Sequence, residues 1–79
     1  IDVLKVVELE AGSFVMRELA LIKVAVADSK VRSDIMNFVT VFRGRIIDVS
    51  TDSITVEITG APDKIDAFLN LMKTLESSN

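Results

Sequence analysis

The side chains best placed to do chemistry in this sequence are carboxylates. Asp63 and Asp66 stand at helical spacing, and Asp48 and Asp52 flank a run of small polar residues. Either pair could hold a hard cation or share a proton. Both also suit plainer roles, as solvated residues of a helix start and a turn, and the plainer roles are preferred. The sequence contains no histidine and no cysteine. That removes the Ser/His and Cys/His nucleophilic pairs, as well as thiolate and imidazole zinc sites. Ser13, Ser29, Ser50 and Ser53 are left without an evident base and read as linker, cap and turn residues. Glycine occurs only at positions 12, 44 and 60, where loops and element ends need it, so no glycine-rich phosphate loop can be built. No catalytic residue, cofactor or metal is expected.

Arg43-Gly44-Arg45 has the look of an RNA-binding sheet, in which arginines and aromatics meet phosphates and bases. The aromatics are in the wrong places for it: Phe38, Phe42 and Phe68 fall on helical core stripes and Phe14 in a linker. There is no tyrosine or tryptophan, and the formal charge is -3, which argues against nucleic acid and anionic membranes alike. Arg43 and Arg45 read as a helix-end charge and a solvated strand residue paired with a nearby carboxylate, and Lys23 as a snorkelling side chain. No apolar run approaches the roughly 20 residues of a membrane span. No signal-peptide pattern or Asn-x-Ser/Thr sequon is present either, and a cytoplasmic setting is expected.

The elements that must position these residues are organised around a hairpin from Arg43 to Gly60. Ile54, Val56 and Ile58 alternate with Thr55, Glu57 and Thr59, the period of two of a strand with one dry side. Ile46-Ile47-Asp48-Val49 is the β-rich run before it, and Ser50-Thr51-Asp52-Ser53 supplies side chains able to bond a tight turn. Arg17 to Val26 alternates with neither face fully polar, as a central strand covered on both sides would. Asp28 and Ser29 can cap a helix whose stripe is Val31, Ile35, Phe38, Val39 and Phe42, with Gly44 leaving it in a left-handed conformation. Pro62 and Asp63 start a second helix with Ile65, Phe68, Leu69, Met72 and Leu75 on its stripe, fraying over residues 76–79. Ile1 to Leu9 is a further β-rich stretch, set off by Glu10-Ala11-Gly12-Ser13, and could end a preceding unit or edge this one.

Seventy-nine residues with 49% apolar content make one small domain whose stability must come from packing or from a partner. Strand, helix, strand, strand, helix is most of a ferredoxin-like βαββαβ fold, α+β, with two helices on one face of an antiparallel sheet and the last strand missing. Losing that strand leaves the edge of Arg17 to Val26 open, to be covered by Ile1 to Leu9 or by another chain. If Ile22, Val24, Val49, Val56 and Ile58 face the helices, then Leu19, Leu21 and Ile46 lie on the open side beside Lys23, Asp48, Thr55 and Glu57. A half-apolar face with a polar rim reads as a docking surface, and these three are the candidate partner contacts.

Several separated blocks carry a family resemblance. Val3 to Val7, Arg17 to Val24, Phe42-Arg43 with Ile46 to Ser50, Ile54 to Gly60, and Lys64-Ile65 with Phe68 resemble the small regulatory subunit of acetolactate synthase (acetohydroxyacid synthase). The resemblance implies that residues 1–12 are the end of an ACT domain and a linker, and that residues 13–79 are a ferredoxin-like (ACT-like) C-terminal domain. It implies an allosteric subunit without chemistry of its own. Such a subunit associates with a thiamin-diphosphate-dependent catalytic large subunit, raises its activity and confers feedback inhibition by valine or other branched-chain amino acids. A homodimer is expected, in the cytoplasm or, in a plant, the plastid. The glycine-containing loop that carries the family's effector site and the closing strand with its basic tail have no counterpart here, so no effector residue is carried over. The alternative is a stand-alone ferredoxin-like module for oligomerisation or small-molecule sensing. An acylphosphatase-like enzyme on the same fold would need an arginine-bearing phosphate loop that the sequence lacks.

Overall fold

Residues 1–9 and 16–77 are described by the computed structural model of the chain. The strands are β1 (Asp2–Leu9), β2 (Met16–Ala25), β3 (Arg45–Val49) and β4 (Ser53–Gly60), and the helices are α1 (Ser29–Val41) and α2 (Pro62–Ser77). The strands form one four-stranded sheet in the order β1-β2-β4-β3, each neighbouring pair antiparallel. With β2, β3 and β4 as the first three strands of a βαββαβ unit, β1 stands where the closing strand would be. It covers the edge that the sequence leaves open. The segment 10–15, with Gly12, Ser13 and Phe14, and residues 78 and 79 lie outside the described residues.

Alternation along β4 sets the core. Ile54, Val56 and Ile58 are at most 1% exposed, and they stand opposite Val24, Ile22 and Ala20 of β2, which are 0% exposed. Cross-strand partners share a face of the sheet, so these six form the floor on which both helices rest. α2 lies over β2 and β4, and α1 over β3 and β4. Val31, Ile35 and Val39 of α1 and Ile65, Phe68, Leu69 and Met72 of α2 complete the core, with Phe38, Phe42, Leu71 and Leu75 packed at its rim. The Phe42 and Phe68 rings meet edge to face, centroids 5.3 Å apart, a geometry that aligns the positive edge of one ring with the negative face of the other. β2 is central but covered on one side only. Lys23 and Ala25 on its other face are exposed and Leu19 and Leu21 half-buried, so the apolar second face signals something other than a second layer in this chain.

The helix ends follow local rules, with two corrections. Asp28 is extended and its carboxylate accepts from the Val31 N–H at 2.9 Å, closing the N-terminal cap as expected. At the other end the Gly44 N–H donates to the Val39 carbonyl at 2.9 Å and the Arg43 N–H to the Thr40 carbonyl at 3.1 Å. This is the paired closure of a Schellman cap. The left-handed residue in it is Arg43, at φ 58°, not Gly44. Glycine serves Gly44 differently: a Cβ there would lie 2.9 Å from the Glu57 carbonyl oxygen and 3.4 Å from Val56 Cγ1, so the glycine is what lets the chain press against β4. The second correction is at α2, which keeps its helical bonding through Ser77 instead of fraying from Glu76. The turn between β3 and β4 closes as its composition predicts, with the Ser50 N–H donating to the Ser53 carbonyl at 2.9 Å and the Ser50 hydroxyl 2.8 Å from that of Ser53. No helix among the described residues is long and apolar enough to cross a membrane.

Candidate docking surface

The face of the sheet turned away from the helices is built by parity from the core outward. Because Ala20, Ile22 and Val24 point at the helices, Leu19, Leu21 and Lys23 point away, and register carries each row across the sheet. Lys23 stands opposite Asp2 of β1 and Thr55 of β4, Leu21 opposite Leu4 and Glu57, and Leu19 opposite Val6 and Thr59. Beyond β4, Arg45 pairs with Glu57 and Asp48 with Thr55, and Arg45 Nη2 lies 3.1 Å from Glu57 Oε1, the carboxylate partner expected for this arginine. The centre of the β1–β2 half is thus an apolar quartet of Leu4, Val6, Leu19 and Leu21. Charged and hydroxyl side chains flank it. Leu4 is 61% and Val6 52% exposed, so this is open surface.

Of the three residues expected on this face, the sheet brings two together. Leu19 and Leu21 are neighbours along β2, on the open side. Ile46 is not with them: its register partner is Val56, a core residue, so it lies on the helix side at the sheet margin, 38% exposed. The physical reason is a bulge. The register shifts between Ile46 and Asp48, so Ile47 is an extra residue and the alternation that would put Ile46 on Asp48's side is broken. Asp48 itself remains on the open face. Leu4 and Val6 went unnoticed in the sequence because β1 alone does not announce its partner. The available signal was the period-two series Asp2, Leu4, Val6, matching Lys23, Leu21, Leu19 in reverse order.

One member of each carboxylate pair is engaged elsewhere. Asp66 Oδ1 lies 3.7 Å from Lys5 Nζ, on the helix side of β1, and Asp52 accepts from the Ser50 hydroxyl at 3.1 Å. Among the described residues no three of the acidic side chains come together as a metal site would need. One further cleft, about 370 Å³, opens where α1 ends and α2 begins, lined by Val41, Phe42, Arg43 and Lys64. The Lys64 stem lies over Gly60, where a Cβ would be 2.6 Å from Lys64 Cδ. The cleft brings together two cations and an aromatic edge but no nucleophile or acid–base pair.

Comparison with known proteins gives the context for such a surface. The family model described as small subunit of acetolactate synthase matches residues 17–78. The probable acetolactate synthase small subunit of Methanothermobacter thermautotrophicus is 51% identical over 73 residues, which is 92% of this chain and 44% of that protein. The acetolactate synthase small subunits of Mycolicibacterium smegmatis and Bacillus subtilis are 48% and 49% identical over the same length, 92% of this chain and 42% of each relative. The chain therefore spans less than half the length of these relatives. No solved structure matches it significantly. With its elements, its open sheet face and these likenesses together, the chain belongs to the family of acetolactate synthase small subunits.

Proposed function

We propose that this chain is part of the regulatory, non-catalytic subunit of acetolactate synthase. In this reading it docks on the thiamin-diphosphate-dependent catalytic large subunit, which condenses pyruvate with pyruvate or 2-oxobutyrate, and raises its activity. It also helps confer feedback inhibition by valine or another branched-chain amino acid, in the cytoplasm or, in a plant, the plastid. The family match over residues 17–78 is the observation that carries the proposal. The half-apolar open face, where Leu19 and Leu21 stand ready for contact, supports it, and Ile46 offers a second contact at the helix-side margin. An effector can move the enzyme only by the difference in its affinity for two states of the assembly. In this reading the module transmits or stabilises one of those states through contact.

The same reading assigns residues 1–12 to the end of a preceding ACT domain and its linker, and residues 13–79 to a ferredoxin-like domain. β1 supports the division in one respect: its backbone lies beside β2 alone, and it reaches α2 through the Lys5–Asp66 ion pair at 3.7 Å. Homodimers are the expected form. The test is to add the chain to the catalytic subunit and follow acetolactate formation with and without valine, alongside a pull-down. Activation, or a change in valine response, together with a complex weakened by Leu21→Lys, is the expected result. No complex and no change in either measurement would overturn the proposal, and a chain that then still self-associates would be an oligomerisation module.

A further inference from the structure

We propose that the cleft where α1 ends and α2 begins binds a small aliphatic acid with an oxygen, and no amino group, on the carbon next to its carboxylate: a 2-oxo or 2-hydroxy acid. The inference starts from where the chain's cations are spent. The sequence has 12 acids to 9 bases, so a base should find a partner readily. Lys5, Lys30 and Arg45 are in ion pairs with carboxylates, and the Arg32 guanidinium donates to the Ser50 and Thr51 carbonyls at 2.8 and 3.0 Å. Arg43 and Lys64 form no ion pair with a described residue, yet they line one cleft of about 370 Å³. The acids closest by sequence and by register are elsewhere. Asp63 is exposed and does not line the cleft, and Glu18, opposite Gly60 on β2, lines a different cavity.

Both cations are fixed by the backbone around them. Arg43 takes the left-handed conformation at φ 58°, although glycine, which adopts it freely, is the next residue. Strain of this kind gathers at ligand clamps and persists only where the surrounding structure imposes it. Lys64 is half-buried, and its stem lies across Gly60, where a Cβ would come within 2.6 Å of Cδ and 3.5 Å of Nζ. Glycine at position 60 thus leaves room for the lysine to lie on the end of β4. Beside the two cations, Val41, 72% exposed, and Phe42 form an apolar wall.

The lining selects the ligand. A guanidinium takes a carboxylate through two parallel N–H donors, and an ammonium is a point donor able to meet a further oxygen. A carboxylate with an oxo or hydroxyl oxygen beside it offers one acceptor group to each. A short alkyl chain then covers Val41 and Phe42. An α-amino acid fits poorly, because its ammonium would stand beside two like charges with no carboxylate to receive it. The Phe38, Val39 and Thr40 carbonyls already accept from the Phe42, Gly44 and Arg43 N–H groups. The cleft is at the small end of pockets that hold small molecules, roughly 300–1,000 Å³, and an open one of this size should bind such an acid with a Kd of about 1 mM. It lies on the helix side of the sheet, away from Leu19 and Leu21, so the inference stands apart from the docking reading and either can fail without the other.

The experiment is a proton–nitrogen correlation NMR titration of the 79-residue chain at constant ionic strength, because salt screens exposed cations. Three probes are compared: 2-oxoisovalerate, valine, which has the same carbon skeleton with an ammonium in place of the oxo group, and inorganic phosphate, which has the charge without the alkyl chain. The expected result is saturating shifts from 2-oxoisovalerate confined to the ends of α1 and α2 that border the cleft, with valine and phosphate weaker by about tenfold or more. Arg43→Gly is the telling variant, since it removes the guanidinium while relieving the backbone. It should melt no lower than the wild type and still lose about tenfold or more in affinity for 2-oxoisovalerate. Lys64→Gln should weaken binding by a similar factor. No saturable shift up to about 20 mM, well past the expected Kd, would overturn the proposal. So would shifts spread over the sheet, equal binding of valine or phosphate, or full affinity in either variant.

Discussion

β1 and β4 are strands of equal length, eight residues each, both antiparallel to β2 and both rich in branched apolar side chains, and their fates are opposite. In β4 the apolar residues Ile54, Val56 and Ile58 are at most 1% exposed, whereas in β1 Val3, Leu4, Val6 and Val7 are 40%, 61%, 52% and 51% exposed. The difference lies in what stands above each strand. The backbones of α1 and α2 both come close to β4, and neither comes close to β1. On the helix side of β1 two ion pairs reach α2: the Ile1 ammonium 3.1 Å from Glu76 Oε2 and Lys5 3.7 Å from Asp66. Composition therefore makes a segment a strand, but position in the sheet decides whether its apolar content is core or surface. A strand with apolar residues on both faces and no layer on either is one whose cover comes from outside the chain.

The widest gap between the two regions should appear on truncation. Phe68, fully buried between the sheet and Phe42, should lose about 3–5 kcal/mol on replacement by alanine. That is at least a quarter of the roughly 4–12 kcal/mol expected of a chain this long, so Phe68→Ala should unfold at a markedly lower urea concentration than the wild type. Val7→Ala should lose less than about 1 kcal/mol, because half of the side chain is already in water. Urea unfolding followed by circular dichroism measures both. Similar losses at the two sites would mean that β1 is covered in solution and would abolish the contrast.

A smaller effect separates two adjacent residues at the end of α1. Gly44→Ala would push a methyl group to 2.9 Å from the Glu57 carbonyl, and overpacking of this kind costs about 1–3 kcal/mol. Arg43 has the left-handed backbone, which a side chain disfavours by about 1–2 kcal/mol, so Arg43→Gly should stabilise by about 1 kcal/mol. Opposite signs at neighbouring positions are the expected outcome in thermal unfolding. A loss at Arg43→Gly beside the loss at Gly44→Ala would place the left-handed residue where the sequence suggested it.

Why the sequence misleads there, and not elsewhere, is a matter of range. The β3–β4 hairpin, the Asp28 cap and both helix stripes are legible because each is decided within a few residues by periodicity or by one side chain bonding a nearby N–H. The Schellman cap is equally local, but glycine at position 44 satisfies two rules at once, freedom of φ and absence of a Cβ, and only the neighbouring strand shows which is used. On the candidate surface, Leu19 and Leu21 follow from parity against a buried face that the sequence identifies. Ile46 does not, because the bulge at Ile47 reverses parity between it and Asp48, and nothing in Ile46-Ile47-Asp48-Val49 announces an inserted residue. Leu4 and Val6 needed the register of β1 on β2, a pairing between segments separated by a linker, which depends on which edge is vacant rather than on either segment's own residues.

The smallest expected effect sharpens the contrast from the other side. Lys5 of β1 forms an ion pair with α2 through Asp66, and at 3.7 Å with both partners partly in water the contact is a surface pair of little worth. Lys5→Ala should change stability by no more than about 0.5 kcal/mol. Hydrogen exchange should show β1 amides opening well before those of β2 and β4, since local opening tracks buried apolar contact. If Lys5→Ala instead cost as much as Gly44→Ala, or if β1 exchanged in step with β4, the ion pairs would be fastening β1 to α2 as part of one cooperative unit. The vacancy above β1 would then no longer distinguish the two strands.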